Sequence, residues 1–136
     1  MSSTNYRNTF IRVADDCPRT VAEVPVASGR TRSIATLQHQ LISAHPYGLT
    51  SDDVLFEVFA LRHDVTPAER ARQRAAFFAK DQPCLRASPL GKRHGWGIHH
   101  DEAGMVALVA VESERYRALC QDASVRQLAA LRSRRA

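Results

Sequence analysis

The chain has 136 residues, 44% hydrophobic and 24% charged, which suits one domain that buries its own core without disulfides or a structural metal. Nineteen basic residues against fourteen acidic give a net charge of +5, but Arg132, Arg134 and Arg135 cluster near the end, so the body is only mildly basic. The opening MSSTNYRNTF lacks a basic stretch leading into an apolar one, the run Met105–Val111 is too short to span a bilayer, and Cys17, Cys84 and Cys120 form no Cys-x-x-Cys pair. These features argue against export, a membrane span and a zinc ribbon, and the expected location is the cytoplasm.

In chain order, NTFIRVADDCP predicts a first strand over Thr9 to Ala14, and Pro18 and Pro25 make Arg19 to Ser28 an irregular connection. A helix is expected from near Thr31 or Ser33 to His45, with Ile34, Leu37, Leu41 and Ile42 as its buried stripe. Pro46 and Gly48 end it. Val54, Phe56, Val58 and Ala60 alternate with Leu55, Phe59 and Leu61, which reads as a central strand near 54–62, covered on both faces, with Glu57 the one acid inside it. Thr66, Pro67 and Glu69 carry the start signal of a second helix, decorated by Arg70, Arg72, Arg74 and Lys80. Most such basic helices present a solvated face.

CLRAS is expected to be a short strand. GWGIHHD and MVALVAV flank Glu102-Ala103-Gly104, the pattern of a hairpin near 95–111 turning at Gly104. Ser113 is a plausible cap for a helix through Tyr116, Leu119 and Cys120. SVRQLAALRSRRA is expected to form a last helix with Val125, Leu128 and Leu131 aligned. The order β-α-β-α-β-β-β-α-α predicts a single α+β domain over 1–136, a mixed sheet covered by helices.

Four separated motifs, NTFIRVADDCP, PYGLTSDDVLFEVFALR, QPCLRASPLGKRHGWGIH and the closing LRSRR, resemble a small bacterial family of uncharacterised proteins, catalogued as a domain of unknown function. The resemblance covers nearly the whole chain. It implies no activity, cofactor or catalytic residue. His94 stands where the resemblance leads one to expect tyrosine, which weakens any role for it as ligand or base.

Within Cys84–His100 there is no carboxylate, and Arg86, Ser88, Lys92 and Arg93 lie close together with Gly91 and Gly95 between them. Guanidinium and ammonium groups beside freely approached backbone N–H groups suit phosphate or carboxylate. The spacing is not that of a Walker A loop, and the plain alternative is a solvated turn. Trp96, flanked by glycines, is either a core plug or a stacking platform. Glu57 on a central strand needs a partner, from Arg62, Arg86, His99 or His100. Paired with His99 it would make a general acid–base couple, and paired with arginine a structural bridge. Asp52 and Asp53 read as turn or cap residues rather than a magnesium site, and Cys84 as a structural thiol. His99 and His100 are adjacent and point to opposite faces of a strand, so no metal site is expected, and no cofactor is implied.

The first functional expectation is a non-enzymatic binding module for an anionic small molecule or partner, acting through the basic turn with Arg86, Ser88, Lys92, Arg93 and Trp96. The alternatives are a small enzyme using Glu57 and His99 with Arg86, Lys92 and Arg93 orienting an anionic substrate, or a structural or regulatory homodimer. Nucleic acid is a possible partner but not the favoured one, and no membrane association is expected.

Overall fold

The computed structural model describes residues 3–26 and 33–133, so Thr31, Arg134 and Arg135 lie outside the described residues. Among the described residues one α+β domain is formed, with five α-helices around a four-stranded mixed sheet. The strands are β1 (Thr9–Arg12), β2 (Trp96–His100), β3 (Val106–Ala110) and β4 (Arg126–Ala129), in the order β3-β2-β1-β4. β1 runs antiparallel to β2 and parallel to β4, and β2 runs antiparallel to β3. The expected hairpin is present: Gly104 takes φ +85°, and the Asp101 carboxylate accepts the N–H groups of Ala103 and Met105 across the turn.

The period of two divides the side chains between two cores. Ile11, Ile98, Val106 and Leu128 point to one side of the sheet, under helices α1 (Ile34–Ala44) and α4 (Pro89–Arg93) and the start of α2 (Ser51–Arg62). Phe10 and Val109 point to the other, under the short helix α5 (Glu114–Cys120), where Leu119 and Tyr116 meet them. Helix α3 (Arg70–Ala79) lies outside these layers against α2, in a third core of Phe56, Ala60 and Phe78. Caps fix the helix starts: Ser33, Ser88 and Ser113 each accept a backbone N–H from the first turn of α1, α4 and α5.

Three expectations need correction. The segment near 54–62 is helix α2, not a central strand; the inner strands are β1 and β2. Thr50 and Asp53 form a reciprocal capping box that starts it. Neighbours on two sides, the first core and α3, make the helix apolar nearly all round, a pattern that imitates a strand buried on both faces. CLRAS is not a strand either: Leu85–Ala87 is a single 3₁₀ turn, and Ser88 with Pro89 at the first helical position then opens α4. The last segment forms β4 in place of a helix. The Asp122 carboxylate binds the N–H and hydroxyl of Ser124 and turns the chain, after which β1 offers an open edge whose backbone groups β4 satisfies.

Candidate functional site: a cleft between α1, α2 and the 82–89 loop

Reading 51–62 as a helix puts Leu55, Val58, Phe59, Arg62 and the capping residue His63 along one side, at three- and four-residue spacing. That side faces Ile34 and Gln38 of α1, Phe77 of α3, and the loop from Gln82 to Pro89. Between them lies an open cleft of about 300 Å³. Its walls are mainly apolar, with the rings of Phe59 and Phe77 4.9 Å apart and the His63 ring 4.5 Å from Phe59. Among the described residues no aspartate or glutamate lines it, while Arg62 and His63 do.

Polar groups sit among the apolar walls. Gln38 is 3% exposed, and its amide oxygen accepts the Ser88 hydroxyl. The Ser88 hydroxyl also accepts the Leu90 N–H as the cap of α4, so one serine ties α1 to the loop. Cys84 lines the cleft and lies 3.4 Å from the Tyr6 hydroxyl, whose pKa is raised by burial and by that thiol. Gln82 donates to the Phe77 carbonyl at 2.8 Å, which fixes the loop to the end of α3.

The residues singled out from the sequence are dispersed. Arg86 donates to the Ala129 carbonyl at 2.8 Å, and its own carbonyl accepts the Leu131 N–H, so it clasps the end of β4. Arg93 is exposed and lines a second hollow, also of about 300 Å³, with Asp16, Pro18 and Ser133. Lys92 lies in the last turn of α4. Of the five proposed ligand-binding residues, only Ser88 lines the cleft. The Trp96 ring packs beside the first core and donates its N–H to the Glu23 carbonyl at 2.7 Å, holding the irregular connection in place. Glu23 also meets His94 at 3.1 Å and Arg19 at 3.5 Å.

Glu57 and His99 are not brought together. Glu57 faces α3 and bonds to Arg70. His99 points to the α5 side of the sheet, where its Nδ1 lies 2.8 Å from the Tyr47 hydroxyl. Arg115 donates to that same hydroxyl and stacks over the Tyr47 ring. Burial, and then the Arg115 charge, hold the His99 pKa below the usual histidine value. Asp52 accepts from Ser3 and Thr4, tying the chain's beginning to α2. Asp53 accepts from Thr50 and Arg74; burial opposes its charge, but these bonds outweigh it and hold its pKa low. Among the described residues no cluster of three or more His, Cys, Asp or Glu is arranged to hold a metal.

A family model for a family of unknown function matches residues 1–136. The chain belongs to this family, DUF6157. No significant match was found among curated proteins or among solved structures. For this DUF6157 member, sequence reasoning names Ser88, Cys84 and Arg62 of the cleft, Arg62 only as a partner for Glu57, and does not join them to Phe59, His63 and Phe77. Phe59, Arg62 and His63 follow one another at helical spacing, and under a strand reading that relation disappears.

Proposed function

We propose that this DUF6157 protein is a non-enzymatic binding module for a small organic anion, taken into the cleft between α1, α2 and the 82–89 loop. The observation that carries this reading is the lining: a concave apolar surface to which the described residues bring no carboxylate, with Arg62 and His63 at the end of α2. Concave, mostly apolar sites with a few converging polar groups are where small molecules bind, and a guanidinium supplies a carboxylate-matched fork. The basic turn is a poorer candidate, because Arg86, Ser88 and Trp96 are each engaged in holding the fold. Nucleic acid fits less well, since Arg70, Arg72 and Arg74 of α3 each meet a carboxylate. A cytoplasmic site of action fits the three free thiols.

The test is titration of the labelled protein with small monocarboxylates, followed by amide and side-chain NMR. Saturable shifts at Leu55, Phe59, Phe77 and Cys84 are expected, and Ala87→Phe, which grows a ring into the cleft, should abolish them. Shifts confined to the Arg93 hollow, or none at all, would defeat the reading.

A further inference from the structure

We infer that the cleft selects a planar aromatic carboxylate that also bears a hydrogen-bond acceptor on its ring. This inference rests on the binding-module reading above and narrows it to a ligand class. Shape comes first. Phe59, Phe77 and His63 present ring surfaces in mutual contact on one wall, and flat π-faces stack on flat ligands with offset or edge geometry. A cavity of about 150 Å³ lined by leucine, isoleucine and phenylalanine takes up benzene, so 300 Å³ is sized for a fused pair of rings or one ring with a short substituent.

The polar groups then orient the ligand. Arg62 lies in the last turn of α2 and is exposed, while among the described residues no acid lines the cleft to neutralise it, so the carboxylate belongs at this end. At the α1 wall Gln38 is more than nine-tenths buried, and its amide oxygen is already committed to Ser88. The amide nitrogen is the group with donors left to offer, because an amide presents one oxygen acceptor and two N–H donors. A ligand that left these donors unmet would lose the hydrogen bond that the buried group otherwise finds with water or substrate. An acceptor on the ring, separate from the acid, meets that need.

The experiment measures affinities of the full chain for four probes: a hydroxynaphthoate with its two groups at opposite ends, naphthoate, naphthol and decanoate. The order expected is hydroxynaphthoate tightest, then naphthoate, with naphthol and decanoate weaker. Arg62→Gln should weaken both naphthoates by roughly tenfold or more and leave naphthol unmoved, the size expected for a charge-assisted bond. Gln38→Met should erase the advantage of hydroxynaphthoate over naphthoate while leaving the latter bound. Because Gln38 is buried, its variant is compared only if its melting curve stays cooperative; Ser88→Ala, which frees the Gln38 oxygen to compete for the amide's orientation, should otherwise shrink the same advantage. Decanoate binding in the cleft as well as or better than the naphthoates would overturn the aromatic class while sparing the reading of a small-anion site. Failure of all four to perturb cleft residues would overturn both.

Discussion

Gly97 on β2 shows how closely the α5 side of the sheet is packed. A Cβ there would lie 2.7 Å from Cζ of Phe10 and 2.9 Å from Cε2 of Tyr116, inside any real contact distance. Both rings are fixed, in an edge-to-face pair 5.1 Å apart, and the Tyr116 hydroxyl accepts the Val13 N–H. Gly97→Ala is therefore expected to destabilise the fold by about 1–3 kcal/mol, the cost of overpacking, read as a lowered midpoint in urea. His100 is the second residue with a measurable signature. It is fully buried, the Tyr6 ring stands edge-on to it at 5.4 Å, and neither ring nitrogen makes a hydrogen bond among the described residues. Burial lowers its pKa from 6.5 to about 4, although backbone groups of Ile98 and Thr9 favour the charged form. The unfolded chain takes up a proton near pH 6.5 and the folded chain does not until about pH 4. Stability from this group is thus complete above the higher pH, falls as the pH drops between the two, and levels off below the lower. The loss is about 3 kcal/mol at most. Urea melts across that range should show the decline, and His100→Leu should remove it; a wild-type curve no steeper than the variant's would contradict the assignment.

At the scale of elements, much of the chain was readable wherever a local signal acts alone. Serine caps at Ser33 and Ser113, the Thr66–Glu69 box, and the hairpin around Gly104 all depend on neighbours within a few residues, and all are present. The failures at α2 and β4 share a cause: tertiary surroundings decided the outcome. Helix α2 is enclosed by the first core and by α3, so its apolar residues cover more than one stripe and the helical period is hidden. The Thr50–Asp53 box is the signal that identifies it, but before an alternating apolar run the same residues read as a turn or cap leading into a strand. β4 carries helix-favouring residues, and only the open edge of β1, far away in sequence, makes it a strand. The cleft was illegible for the same reason as α2, because Phe59, Arg62 and His63 share a side only once the segment is helical. Thr50 accepts the Asp53 N–H at 3.1 Å and gives its own N–H to the Asp53 carboxylate at the same distance. Thr50→Ala should cost about 1 kcal/mol, as the loss of an N-cap does, and Asp53→Ala more than that, because it also strips Arg74 of its partner at 2.9 Å. Denaturation midpoints of the two variants give the comparison directly.

For the molecule as a whole, the three cores differ in how firmly they hold their elements. The sheet is clamped on both sides, and β1 is paired along both edges. Helix α3 is different: Phe78 is its one buried residue, and its anchorage is the satellite core shared with Phe56 and Ala60 of α2. Further ties run to α2: Arg70 to Glu57, Arg74 to Asp53, and both guanidinium groups over the Phe56 ring at 5.2 and 5.6 Å. These ion pairs are partly exposed, and such pairs contribute little each. Segments with few buried apolar contacts open locally at lower free energy than the core. Amide hydrogen exchange should therefore show α3 opening before β1 and β2. Phe78→Ala should speed exchange throughout α3 while leaving the strand amides close to their original rates. Its effect should carry to the cleft, because Phe77 supplies one wall of it and Gln82 holds the loop to the Phe77 carbonyl. Equal protection of α3 and β1, or a Phe78→Ala variant that accelerates both alike, would mean that the outer helix is an integral part of the cooperative unit and the cleft a rigid one.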